Sequence, residues 1–425
     1  GLVALADEET ALGPVRLNGE LDRTCFQLRR FAQLAEAGVP FASTVSPAVA
    51  GAPPVGHPAM VRQLVPLGPV AMFSASNFPF AFSVLGGDTA SALAAGCPVV
   101  IKAHNGHLLL SNRVFGLIQT VLAAQGLPAG LVGMVQGGGR DVGVQLVRHP
   151  AMAAGAFTGS TQGGAALQAE ANARPRPIPF YGELGSINPV VALPAVLAAR
   201  GPELATLLAG SITQGCGQFC TSPGVLILLD DPASDAFVTL LQAALAAQNP
   251  HAMLTPAMRQ AFDGGVAHLV QAGVTPLLHE ASSGPAPRPF LAQTDAATFI
   301  AQAALREEVF GPSQLIVRAA SVAQAVQVLQ AVGGSLTVTL WGAEVESDDS
   351  HALVRAAMAI AGRVLFAGVP TGVAVNAAQQ HGGPWPSSTQ PMTTSVGDAA
   401  LARFLRPVAL QDAPAWLTAR AGRPA

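Results

Sequence analysis

Short apolar runs of strand length alternate with longer stretches of helical periodicity along most of this chain, and that alternation limits the fold more than any other feature. Residues 98–101 read as a buried strand, followed by a helical pattern through Leu108, Val114, Leu117, Ile118 and Val121. Strand candidates at 131–135 and 153–157 are followed by helices from about Asp141 and Ser160. A second series places strands at 225–229, 314–317 and 336–341, with helices near 236–247, 322–332 and 350–361. A strand that returns through a helix ends parallel to the one before it, so this order predicts an α/β fold of parallel sheets covered by helices.

Gly185-Ser186-Ile187-Asn188-Pro189 breaks the pattern where the second series begins and reads as a domain crossing. The expected division is a cofactor-binding domain over 1–45 and 70–186 and a catalytic domain over 187–390. The Pro-rich, then strand-like 46–69 and the C-terminal 391–425 form an oligomerisation arm and strand.

Composition matters mainly for what it excludes. Half of the 425 residues are hydrophobic and only 11% are charged, so a membrane span must be considered. The two longest uncharged stretches, 63–87 and 204–229, are broken by prolines or by polar residues, and neither reads as a span. A net charge of −3 without a basic block gives no footprint for nucleic acid. Four cysteines make no disulfide framework, and no charged-then-apolar leader opens the sequence; a reducing, cytoplasmic setting is expected.

Several short segments carry groups that could do chemistry. Gly159-Ser160-Thr161-Gln162-Gly163-Gly164 follows a strand and opens a helix, where backbone N–H groups can bind phosphate. Its spacing departs from the usual dinucleotide fingerprint, and alone it reads equally as a ligand-free turn. Cys220 lies in the Gly-rich turn Gly215-Cys216-Gly217-Gln218-Phe219-Cys220-Thr221, either as a reactive thiol or as an inert buried one. Cys216 and Cys220 do not have zinc spacing and no second pair matches them, so no metal is expected. Glu183 ends an apolar strand, where burial should raise its pKa toward that of a general base. Asn77, before Phe78-Pro79, is either an oxyanion donor or a turn former.

In combination, six ordered segments resemble the aldehyde dehydrogenase superfamily. They are Ser76-Asn77-Phe78-Pro79, Val100-Ile101-Lys102, Phe157-Thr158-Gly159-Ser160-Thr161, Glu183-Leu184-Gly185, Gly217-Gln218-Phe219-Cys220-Thr221 and Glu307-Glu308-Val309-Phe310-Gly311-Pro312. Within it, Ser74 to Pro79, Ser83 to Ala90, Glu183 to Pro189, Cys220 to Gly224, Pro370 to Val373 and His381-Gly382-Gly383-Pro384 are most similar to one bacterial group. These are the α-ketoglutaric semialdehyde (2,5-dioxovalerate) dehydrogenases and related NADP-dependent fatty aldehyde dehydrogenases. The resemblance spans about residues 20–412, and the chain looks short at both ends against that family.

The resemblance implies a Rossmann-type cofactor domain, an α/β catalytic domain and a small β arm, assembled as a homodimer or homotetramer. It also implies roles. Cys220 attacks a small-molecule aldehyde, with Asn77 and the Cys220 N–H holding the oxyanion. Hydride leaves to a nicotinamide, and Glu183 activates the water that releases the acid. Lys102, Gly159, Ser160 and Gly164 correspond to ribose- and phosphate-contacting positions, Glu308 to the carboxylate on the nicotinamide ribose, and Phe310 to its packing neighbour. Asn105 stands where NAD-preferring relatives often place a glutamate, and Arg140 resembles an arginine that pairs with a 2′-phosphate. NADP is therefore expected, with NAD as the alternative. Competing expectations are a fatty aldehyde substrate, acyl transfer to CoA, which the hydrolytic base Glu183 argues against, and an inactive chain kept for binding or structure.

Overall fold

The computed structural model describes residues 1–418; the end of the segment assigned to the C-terminal arm, 419–425, lies outside the described residues. Strands β1 (Thr44–Ser46) and β2 (Met60–Pro66) pair antiparallel. Strands β3 (Val70–Phe73), β4 (Val99–Lys102), β5 (Val132–Val135), β6 (Ala154–Thr158) and β7 (Phe180–Glu183) then form a parallel sheet in the order β5-β4-β3-β6-β7. A second sheet contains β8 (Val190–Ala192), β9 (Val225–Leu229), β10 (Thr275–His279), β11 (Phe290–Asp295), β12 (Ser313–Ala319), β13 (Ser335–Trp341) and β14 (Ala361–Leu365). Its order is β10-β11-β12-β9-β8-β13-β14, parallel except for the edge strand β10. Strand β15 (Leu405–Gln411) returns to pair antiparallel with β2.

Both larger sheets are buried on two faces. Val70 and Met72 pack on one side of the first sheet and Ala71 and Phe73 on the other, as the period of two requires. The second sheet repeats this with Val225 and Ile227 against Leu226 and Leu228. Every residue of β13 is buried, which is why its sequence is a continuous apolar and threonine run rather than an alternating one.

The strand at 225–229 and the helix at 322–332 have the expected bounds. The helix expected over 350–361 stops at Ile360, because Ala361 begins β14 and pairs with Ser335. The helix Pro14–Glu36 was not among the elements expected from sequence. Its buried face reads Leu17, Glu20, Thr24, Gln27, Phe31 and Leu34: helical spacing, but half of it polar. The helix Asn105–Ala124 is long and apolar enough to cross a membrane by length and composition. Here Leu110, Val114, Ile118 and Leu122 pack it into the core of the first sheet.

Residues 184–189 carry the chain from β7 to β8, from one sheet to the other. Residues 391–404, assigned from sequence to the arm, depart from that expectation. Ser395 bonds to Glu183, and Ala400, Leu401 and Phe404 join the core of the first sheet. Their apolar and hydroxyl side chains are satisfied there, and only β15 continues into the small sheet.

The order of the first sheet sets the site. From β3 the chain steps outward to β4 and β5, then crosses back to β6 on the other side of β3. In open α/β sheets such a reversal opens a crevice at the carboxyl ends of the strands. Asn77 follows the end of β3, Asn105 that of β4, Arg140 that of β5, Gly159 and Ser160 that of β6, while Lys102 ends β4 and Glu183 ends β7.

Candidate active site

Cys220 sits on a turn that only an unusual backbone can make. Gly215, Cys216 and Gly217 are all left-handed, with φ of 56°, 59° and 67°. Cys216 is fully buried. Gly217 has no room for a side chain, since a Cβ would fall on the Gly311 carbonyl and Pro312 nitrogen. Gln218 locks the turn from inside, donating to Gly215 O at 3.0 Å and accepting from Leu254 N at 3.0 Å.

The other side of the turn is stapled by Asn188, which is fully buried with φ of 52°. Its amide donates to Cys220 O at 2.8 Å and Ser222 O at 2.9 Å. Its oxygen accepts from Ser186 Oγ at 2.8 Å and from Thr337 N at 3.2 Å. Asparagine tolerates this backbone region better than other non-glycine residues.

Around the thiol, Cys220 Sγ lies 3.5 Å from His381 Nε2, which is 2.9 Å from Glu183 Oε1. Ser395 Oγ donates to the other Glu183 oxygen at 2.5 Å. The reacting atoms of Glu183, Cys220 and His381 lie within 4.8 Å of one another. A nitrogen–oxygen contact of 2.9 Å is an ordinary hydrogen-bond distance.

The electrostatics correct the expectation for Glu183. Burial pushes its pKa up, but His381, Ser395 and the thiol outweigh that and hold the carboxyl below its ordinary value. For Cys220, burial and then Glu183 push the thiol well above its ordinary range, with Glu308 adding to this and Arg23 opposing it. The resting state is therefore a thiol beside a carboxylate.

Asn77 is buried, and its Nδ2 donates to Gln218 O at 2.9 Å. Among the described residues one amide N–H has no acceptor, and neither does the Cys220 N–H. The helix Pro14–Glu36 holds this loop with charged groups that the sequence reading missed. Arg16 donates to Asn77 O at 2.5 Å, and its guanidinium lies over the Phe78 and Phe219 rings. Glu20 Oε1 accepts from Phe80 N at 2.7 Å and Ala81 N at 3.0 Å. One turn further, Arg23 lies over Phe82 and donates to Val373 O, leaving buried Nε and Nη2 without partners among the described residues. Burial lowers its pKa, while Cys220, Glu20 and Glu183 raise it. Arg363 also feels Cys220, and it donates to Gly372 O at 2.9 Å and Pro370 O at 2.7 Å. Arg23 lines a cleft of about 690 Å³ with Phe26, Arg29 and Val373.

The residues expected to hold a cofactor occupy the same edge of the sheet but are open. Lys102 Nζ donates to Ala103 O at 2.9 Å and Asn105 Oδ1 at 3.2 Å. Asn105, Arg140, Gly159 and Ser160 are exposed, and Arg140 precedes the helix Asp141–Arg148. Ser160 caps the helix Thr161–Asn172 by accepting from Gly163 N at 3.2 Å, and Gly164 lets that helix close on Leu184. Gly185 leaves space for the Glu308 carboxyl, beside half-buried Phe310. Glu308 is exposed at its surface yet closely surrounded by protein, and that crowding pushes its pKa up to about 7, with a Ser186 backbone hydrogen bond opposing. A helix start, a lysine at a strand end and a carboxylate facing the crevice fit a nicotinamide dinucleotide.

The model of the aldehyde dehydrogenase family matches residues 15–406. The chain belongs to that family. It is 46% identical to an α-ketoglutaric semialdehyde dehydrogenase of Azospirillum brasilense over 97% of this chain and 79% of that protein. A second such enzyme, from Acinetobacter baylyi, is 40% identical over 97% of the chain and 78% of its own length. Among solved structures, a glyceraldehyde-3-phosphate dehydrogenase of Methanocaldococcus jannaschii complexed with NADP is similar at a TM-score of 0.80. It is 16% identical, and the match covers 96% of this aldehyde dehydrogenase and 84% of that chain. Aldehyde dehydrogenase 21 of Physcomitrella patens, in complex with succinate, has a TM-score of 0.78 at 20% identity, over 96% and 81%. These distant likenesses concern the fold.

Proposed function

We propose that this enzyme oxidises α-ketoglutaric semialdehyde to 2-oxoglutarate through a thioester on Cys220. The observation that carries the chemistry is the meeting of the Cys220 thiol and the Glu183 carboxylate in one buried cluster, within 4.8 Å. Cys220 Sγ attacks the aldehyde carbon as its S–H proton passes to the Glu183 carboxylate, and the N–H groups of Asn77 and Cys220 would face the oxygen that becomes negative. A bound nicotinamide supplies the hydride acceptor. Once Glu183 has passed that proton to solvent it takes the proton of the attacking water, the C–S bond of the thioester breaks, and the acid departs with the sulfur released.

The substrate reading rests on two supports. Both relatives above carry this activity in their names, and the cationic groups Arg23 and Arg363 act electrostatically on Cys220. A semialdehyde with a carboxylate gains from such cations, and Arg23 has two buried N–H positions unpartnered. A fatty aldehyde would leave them unpaired and desolvated.

For the cofactor we favour NADP over NAD, because Asn105 brings no negative charge and exposed Arg140 stands at the end of the neighbouring strand. We assign the first sheet to cofactor binding, the second to the acyl side, and the β1-β2-β15 sheet to a homodimer or homotetramer contact. Val45 and Val49 are exposed on that last segment. All four cysteines are free, in keeping with a reducing, cytoplasmic setting.

Steady-state comparison of the semialdehyde with an alkyl aldehyde of similar length, using each cofactor, tests this reading. The semialdehyde should have the higher kcat/KM. Cys220→Ala should lower turnover by at least about four orders of magnitude and abolish cofactor-free esterase activity. A Cys220→Ala variant that still turns over, or a preference for the alkyl aldehyde, removes it.

A further inference from the structure

The two N–H donors assigned to the oxyanion come from different parts of the fold. Asn77 follows β3 of the first sheet, and Cys220 lies between the helix Pro194–Thr213 and β9 of the second. The gap between them therefore depends on what ties one loop to the other. Asn77 makes one tie itself, donating from Nδ2 to Gln218 O at 2.9 Å. Phe78 and Phe219 make another, edge to face with ring centres 5.1 Å apart.

Arg16 is common to both loops. Its Nη2 donates to Asn77 O at 2.5 Å, and its guanidinium lies 4.9 Å from the centre of the Phe78 ring and 4.6 Å from that of Phe219. Phe78 follows one donor residue and Phe219 precedes the other. The approach to the second loop is close: a Cβ at Gly215 would collide with Arg16 Nη1. One turn further along the helix, Glu20 accepts from Phe80 N and Ala81 N. The helix Pro14–Glu36 thus grips the Asn77 loop by a carbonyl at one end and by two amides at the other.

Packing does not account for an arginine at this place. Its Nε and Nη1 are buried with no hydrogen-bond acceptor among the described residues, and burial works against its charge, with Glu20 opposing. A methionine would fill the space between two rings without that cost. What the guanidinium adds is direction. One N–H is fixed on the Asn77 carbonyl while its plane is held by two rings, each carried by a different loop.

We propose that Arg16 is a positioning residue for the oxyanion site, clamping the Asn77 loop to the Cys220 turn so that their two N–H groups converge on one oxygen. It acts through Asn77 and not on the reacting atoms. Oxyanion donors work because they are aimed before the charge develops, and a misplacement of about 1 Å costs about a hundredfold in rate.

This inference rests on the reading of Cys220 as nucleophile and Asn77 as donor, and the test keeps the three apart. It compares two reactions of the same sulfur in the full chain. Hydrolysis of 4-nitrophenyl acetate passes through an oxyanion; alkylation by iodoacetamide, a displacement at a saturated carbon, does not. Arg16→Met should slow ester hydrolysis about a hundredfold in kcat, with KM within about threefold and Cys220 alkylation within about twofold of the parent. Arg16→Lys, which keeps the charge and an N–H, should recover to within about tenfold of the parent. In an Asn77→Ala background the further loss from Arg16→Met should stay under about threefold, because the donor it aims is gone.

Unchanged ester hydrolysis in Arg16→Met overturns the proposal. So does a parallel fall in alkylation, which would mark general damage to the turn, and so do losses that multiply in the double variant. Thermal unfolding shows whether Arg16→Met is folded; if it is not, Arg16→Gln takes its place with the same split expected between the two reactions. If Asn77→Ala alone hydrolyses the ester at the parent rate, the donor reading fails and takes the proposal with it. If Cys220→Ala does so, the nucleophile reading fails, whatever the Arg16 variants show.

Discussion

The acyl-transfer half and the cofactor half of the crevice are built to opposite rules. Around Cys220, the polar groups of Glu183, Asn188, Gln218 and His381 are buried and bonded chiefly to one another or to backbone. Along the strand ends proposed to face a dinucleotide, Asn105, Arg140, Gly159 and Ser160 are exposed, and the Arg140 side chain has no partner among the described residues. The first half is preorganised: its groups must hold position while a small substrate comes and goes. On the proposed reading the second would be completed by its ligand, whose phosphates and ribose hydroxyls would supply the missing partners.

The sharpest way to break this contrast is to remove a staple from the rigid half. Asn188→Ala strands the carbonyls of Cys220 and Ser222 and the Thr337 N–H, and puts alanine at φ 52°. Unfolding free energy should fall by about 3 kcal/mol or more, seen as a lowered Tm together with lost turnover. An unchanged Tm would mean that the turn holds itself. On the open half, Arg140→Ala should leave Tm unaltered yet raise KM for NADP about tenfold or more, with little change for NAD. Equal effects on both cofactors would remove the 2′-phosphate assignment.

The smallest effect sharpens the boundary between the halves. Enclosure raises the Glu308 pKa to about 7, above its unfolded value. The folded protein thus holds a proton there that the unfolded chain releases, and this contribution is lost as pH rises through about 7. Glu308→Gln mimics the protonated side chain. Its Tm should exceed that of the parent at pH 8, and the difference should close toward pH 5. A difference that grows on acidification would contradict the sign.

The sequence made the two parallel sheets legible because strands buried on both faces are uninterrupted apolar runs, bounded by helices of opposite period. Glu183, Cys220 and Asn77 could be singled out because each sits in a short local motif. The groups that complete the cluster left weaker traces. His381 meets Glu183 across 198 positions, and one histidine between a glutamine and two glycines carries no local sign of that encounter. Ser395 and Asn188 look like ordinary turn formers. Arg16, Glu20 and Arg23 hid in a helix whose inward face is half polar, so the hydrophobic period that marks helices was diluted at the point where it met the site. The depressed carboxyl of Glu183 was unreadable for the same reason, since burial could be guessed and its two hydrogen-bond donors could not.

The missing side chain at residue 217 has a mechanical corollary. With bare main chain against main chain at Gly311 and Pro312, the bend bearing the sulfur and the stretch leading from Glu308 have no cushion between them. Even a methyl group there would act as a wedge, prising the nucleophile's bend from its neighbour and tilting both from their shared alignment.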